Sequence, residues 1–190
     1  MYTLIQEWHA RSEELDEFFK AEGPVQTIKE EKFGEFLDLC FQRASYFSLM
    51  KARWLMAIDN NAEKEFEPFL FKQLRVPKWY CYDLTESPYP SQRVLNINVY
   101  YAKHEAKTVF LKYFNNIFLH EQGRNVDDPM QTLEDLCFFS SDSLFVGSVS
   151  HEHIFDVYPP DSEFESSLNL FGKWSYSNED YSFSLEDYIR

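Results

Sequence analysis

Val76 divides this chain by hydrophobic period, and the two periods restrict the fold classes open to it. Upstream, apolar residues recur every three to four positions, the spacing that puts them on one side of a helix. Leu4, Ile5, Trp8, Leu15, Phe18 and Phe19 share one such face. Phe33, Phe36, Leu37, Cys40, Phe41, Ala44, Phe47, Met50 or Lys51, and Trp54 share another. Thr3 with Gln6, and Thr27 with Glu30, have the spacing of capping boxes, in which a hydroxyl bonds an orphan backbone N–H and the later side chain returns the bond. Gly23-Pro24 is placed to end the first helix and Asn60-Asn61 the second. Residues 62–75 are ambiguous, because Glu67-Pro68 restricts the backbone ahead of the proline and can start a short helix.

Downstream the period shortens. Trp79 to Leu84 is dense in β-formers, and Leu95, Ile97, Val99 and Tyr101 alternate with Asn96, Asn98 and Tyr100, as a half-buried strand requires. These two segments are expected to pair. Val109, Phe110, Tyr113, Phe114, Ile117 and Phe118 return to helical spacing, closed by Gly123. Leu136 to Phe139, Leu144 to Val149 and Ile154 to Tyr158 read as three strands of a β-meander. Ser162 with Glu165 opens a further helix carrying Phe164, Leu168 and Phe171, and the aromatic, acidic tail from Lys173 is expected to pack on the domain. The pattern predicts one α+β domain over 1–190: a mainly helical part, 1–75, and a strand–helix–strand part, 76–190, with N-terminal helices packed on a mostly antiparallel sheet of about five strands.

The 190 residues suffice for a substantial core, and with 19 Phe, 12 Tyr and only 5 Gly the composition is that of a folded chain. Its charge is uneven. Residues 127–190 carry fourteen acids against Lys173 and Arg190, a net of −12, whereas residues 1–126 have a net of −2. Such a field repels phosphate and attracts basic partners, so a basic protein partner is expected and nucleic acid is not. The start of the chain has no secretory pattern and no stretch is apolar enough to span a membrane, which makes a cytoplasmic protein without membrane contact the expectation. Cys40, Cys81 and Cys137 are odd in number and set in apolar stretches, and read as buried thiols.

Few residues suggest chemistry. His151 and His153 are two apart, so on an extended strand both imidazoles would face one metal; a small metal-dependent enzyme is therefore one alternative. Glu105-Ala106-Lys107 with Asp83 upstream has the spacing of a nuclease metal site, yet Glu105 also suits a helix N-terminus. The chain has no phosphate-cradling glycine loop and no nucleophile elbow, and no cofactor is implied. Glu134 and Asp135 at one strand start, Asp156 in another, and Asp161, Glu163 and Glu165 at a helix start are expected to converge into one partner-binding patch.

Asp135-Leu136-Cys137-Phe138-Phe139, Leu144 to Glu152, and Val157-Tyr158-Pro159-Pro160 lie in a segment, Leu133 to Trp174, that resembles small cytosolic immunity proteins of bacterial polymorphic-toxin systems. The resemblance lies in general character, that of a short, acidic, aromatic-rich α+β domain without catalytic motifs. It implies a non-enzymatic inhibitor that binds a basic toxin domain and blocks it, and carries over no residue-by-residue motif. A phage counter-defence or adaptor protein shares the same binding logic. The oligomeric state is left open.

Overall fold

A computed structural model describes residues 1–6, 8–10, 21–24, 27–51, 61–89, 93–119 and 133–189. The first described elements are strands: β1 (Tyr2–Leu4), followed by the paired β2 (Trp8–Ala10) and β3 (Ala21–Pro24). There follow α1 (Glu31–Phe41), β4 (Tyr46–Lys51), α2 (Asn61–Phe66), β5 (Leu70–Val76), a small hairpin of β6 (Lys78–Trp79) and β7 (Tyr82–Asp83), β8 (Leu95–Tyr101) and α3 (His104–Tyr113). The last part contains β9 (Leu133–Ser140), β10 (Ser143–Val149), β11 (Ile154–Val157), α4 (Ser162–Ser167), β12 (Trp174–Tyr176) and α5 (Glu186–Ile189).

Eight of these strands form one antiparallel sheet in the order β12-β1-β11-β10-β9-β4-β8-β5. The expected arrangement of N-terminal helices on about five strands is thus corrected: the protein is sheet-rich α+β, and its five α-helices among the described residues are distributed along the chain. The meander β9-β10-β11 is as expected. The N-terminus is not helical at 2–4, where β1 inserts between β11 and β12. Thr3 therefore caps no helix; its Oγ1 donates to Asp156 Oδ1 at 2.6 Å. Thr27 likewise donates to Asn116 Oδ1 at 2.7 Å. Leu15, Phe18, Phe19, Trp54 and Gly123 fall outside the described residues.

The helix expected from Phe33 to near Asn60-Asn61 divides, over its described residues, into α1 and β4. The segment Tyr46-Phe47-Ser48-Leu49-Met50 satisfies both periods, and the competition is decided by long-range pairing with β8 and β9 on either side. In that strand Phe47 and Leu49 join one core, while Met50 joins the other. The larger core lies under the helices. Phe36 of α1 makes edge-to-face contacts with Phe155 at 5.5 Å and Phe171 at 5.1 Å, and Phe47 stacks on Tyr100 at 4.9 Å. β8 is consequently buried on both faces rather than one: Asn98 and Tyr100 are 3% and 1% exposed, and Asn98 Nδ2 donates to the Tyr100 hydroxyl at 3.0 Å.

The opposite face of the sheet is covered by chain with little regular structure. Trp79 and Tyr82 do not pair with β8; 78–83 closes on itself through the Tyr80-Cys81 turn. Trp79, 1% exposed, packs against Phe183 at 4.9 Å and Tyr188 at 5.1 Å. Leu185 is fully buried, its N–H donates to the Asp142 carbonyl at 2.7 Å, and Lys72 Nζ on β5 donates to the Ile189 carbonyl at 2.6 Å. The acidic tail thus packs on the sheet, as its aromatic content required.

Candidate functional site

The hairpin and the tail do not meet over the whole sheet. Between them lies a cleft of about 650 Å³, a volume typical of ligand sites, lined by Tyr80, Cys81, Tyr82, Tyr181 and Tyr188 with Asp156 at the sheet. One of its walls, the Tyr80 ring, rests on Gly147 of β10. The Tyr80 ring lies so close that a Cβ at position 147 would sit 2.6 Å from Tyr80 Cζ. Tyr80 itself adopts a positive φ of 45° at the turn, a conformation costly for an aromatic residue, and its hydroxyl donates to Asp156 Oδ2. With Thr3 on the other oxygen, the 3% exposed Asp156 is doubly bonded. Burial first, and the Asp156 charge second, push the Tyr80 phenol far up, so it remains a donor.

Asp83 at the rim pairs with Lys78 at 2.6 Å, which together with two bonds from Thr85 holds its carboxyl down at about 2. Cys81 is exposed rather than buried, unlike Cys40 and Cys137. Partial desolvation, then the charges of Asp156 and Asp135, push its thiol up to about 11, so it is protonated at neutral pH and unsuited to nucleophilic work.

Beside the cleft sits a second group. The step from Ser48 to Met50 on β4 spans three positions on β9, from Cys137 to Glu134, which defines a β-bulge at Asp135, where φ is 55°. In a regular strand Glu134 and Asp135 would point to opposite faces. Here both carboxylates and the His151 imidazole present ligand atoms within 4.8 Å of one another. Asp135 is 1% exposed and well bonded: the Tyr82 hydroxyl donates at 2.6 Å and the Ser150 N–H at 2.6 Å. Burial raises its pKa against these bonds. Glu134, 6% exposed, accepts no hydrogen bond from the described residues, and desolvation, followed by repulsion from Asp135, pushes it up to about 7.

These placements revise the expected six-acid patch. Glu134, Asp135 and Asp156 are buried on the cleft side, whereas Asp161, Glu163 and Glu165 lie at α4, among the helices. Asp161 caps α4 by accepting the Phe164 N–H at 2.7 Å, one residue before the expected Ser162. Arg43 bridges it to Glu163 at 2.7 and 2.9 Å, and the Arg43 bond holds the Asp161 carboxyl below its ordinary value. Glu165 accepts the Tyr2 hydroxyl. The alternation of β11 explains the split, since Phe155 and Val157 face the helices and Asp156 faces the hairpin.

The two histidines are separated as well. Residues 150–152 form a 3-10 turn and His153 is left-handed, with φ 53°, so the extended geometry that would align the rings is absent. His151 stands over Tyr82, with Nδ1 3.4 Å from its hydroxyl, while His153 meets Phe118 edge-on at 5.2 Å. Lys107 pairs with Asp38, so it does not join Asp83 in a nuclease arrangement. Sequence reasoning missed the grouping of Glu134 and Asp135 with His151. Its one available signal was two adjacent acids inside the apolar run Leu133 to Phe139, a break in alternation that marks a bulge. Among the described residues no helix is long and apolar enough to cross a membrane. Comparison with family models, curated proteins and solved structures gave no match, so cleft and carboxylate group are interpreted from their own chemistry.

Proposed function

We propose that this protein is a non-enzymatic binding protein whose aromatic, acidic cleft takes a basic segment of a protein partner. The observation that carries this is the cleft itself: exposed Tyr181, half-buried Tyr188 and the Tyr80 and Tyr82 rings form its walls, and carboxylates lie at its base and rim. Tyrosines combine large contact area with little entropy to lose, and a Lys or Arg side chain gains from both ring faces and carboxylate charge. The net charge of −14 favours such a partner from a distance. An immunity-type inhibitor of a basic toxin domain is the form that the resemblance suggests. The surface differs from the sequence-based patch, because Asp135 and Asp156 lie on the hairpin side of the sheet, whereas Asp161, Glu163 and Glu165 lie at α4.

The test begins with capture and identification of a partner from lysate at low salt. Association of the purified partner is then followed with the wild type and with Tyr181→Ala. A basic partner is expected, with an association rate that falls about tenfold or more as salt rises and a complex that dissociates faster in the variant. An acidic partner, salt-independent association, or an unchanged Tyr181→Ala complex would contradict the assignment.

A further inference from the structure

We propose that Glu134, Asp135 and His151 form a binding site for a divalent first-row transition cation, beside the cleft and behind Tyr82. Ligands bound at about 2.0–2.2 Å to a common cation are roughly 3–4 Å apart, so atoms already within 4.8 Å need only small side-chain movements to converge. A second observation points to a ligand. Glu134 is buried to more than nine-tenths, and among the described residues no donor or cation bonds its carboxylate; the charge that acts on it is that of Asp135, of the same sign. A largely buried carboxylate beside a like charge gains by keeping a proton or by meeting a cation, with only the water that reaches its oxygens to solvate it otherwise.

The surroundings suit the second role. The Tyr82 hydroxyl and Ser150 N–H each hold one oxygen of Asp135, which fixes that carboxylate while leaving lone pairs to spare, as outer-shell partners of metal ligands do. His151 is partly exposed at the edge of the group, so the ion has a route in from solvent. One nitrogen and two carboxylates as donors favour zinc, manganese or iron over magnesium, which prefers oxygen alone, and over copper(I), which prefers thiolates. The site differs from the His151/His153 pair: His153 belongs to the Phe118 contact and contributes no ligand.

Full-length protein treated with chelator and dialysed is titrated with Zn²⁺, Mn²⁺ and Mg²⁺ by calorimetry, with thermal melting in parallel. Zn²⁺ or Mn²⁺ is expected to bind at one site per chain and to raise the melting temperature, with Mg²⁺ weaker. His151→Ala should weaken binding by about tenfold or more and Glu134→Gln by about 100-fold, while His153→Ala leaves it unchanged. His151 is exposed, so its variant tests the site without disturbing the core. Absence of binding by the wild type, retention of full affinity in His151→Ala, or an equal loss in His153→Ala would overturn the proposal. None of these three outcomes depends on the protein partner, so the metal site and the binding function stand or fall separately.

Discussion

Gly147→Ala probes the contact that seats the Tyr80 wall of the cleft. The added Cβ would lie 2.6, 2.7 and 2.9 Å from three carbons of the Tyr80 ring, whereas ordinary carbon contacts begin near about 3.5 Å. The ring must therefore retreat by roughly 1 Å. It is not free to do so, because its hydroxyl is bonded to Asp156 and Trp79 beside it is buried in the second core. Overpacking of this kind costs about 1–3 kcal/mol, and loss of a hydrogen bond to a carboxylate adds about 1.5–3 kcal/mol if the ring swings out. Against this, Ala in place of Gly at a backbone without positive φ gains about 0.4–1 kcal/mol through the unfolded chain. The net expectation is a loss of about 2 kcal/mol or more, a fall in melting temperature of roughly 4–8 °C for a chain of this size. The decisive assay is a double-mutant cycle by denaturant unfolding. In a Tyr80→Ala background the clash is gone, so Gly147→Ala should become neutral or slightly stabilising. Additive costs in the two backgrounds would show that the ring does not rest on Gly147.

Glu134→Gln should show its effect through pH. The folded carboxyl titrates at about 7 against an ordinary 4.5, so the folded state holds the proton more tightly and ionisation destabilises it. The penalty is absent below about pH 4.5, grows as pH rises towards about 7 and is constant above; the shift corresponds to about 3.4 kcal/mol, reduced by residual solvation to about 1–2 kcal/mol. In chelator, Glu134→Gln should therefore be more stable than wild type near pH 8 and equal to it near about pH 4, by denaturant unfolding at each pH. Phe36→Ala removes a fully buried ring that contacts Phe155, Phe164 and Phe171, and should cost about 3–5 kcal/mol in the same assay. Cys81, with its thiol at about 11 against an ordinary 9.0, should be alkylated at neutral pH on the order of 100-fold more slowly than an unperturbed thiol, as followed by mass spectrometry.

Local patterns were legible where neighbours in sequence are neighbours in space. The meander β9-β10-β11 is of this kind, its strands joined by the short turns at Ser141-Asp142 and residues 150–153. Strands whose partners lie far along the chain were not: β1 pairs with β11 and β12, and β4 with β8 and β9, so their apolar residues matched a helical period equally well. The hairpin was hidden for another reason, since Tyr80 takes a positive φ without being glycine, and only the Asp156 bond and the contact with Gly147 account for its position. The acids were correctly assigned to strands and a helix start. Their burial was not legible, because an acid at 134 or 135 looks exposed until the bulge turns both side chains to one face.

Occupation of the cleft by a basic partner is tested most directly by amide hydrogen exchange of the protein with and without its captured partner. The expected result is protection concentrated in the hairpin at 78–83, in β11 and in the tail from Tyr181 to Tyr188, with α1 and α4 unchanged. Protection confined to α1 and α4, around Arg43, Asp161 and Glu163, would place the binding surface on the helical side and contradict the assignment.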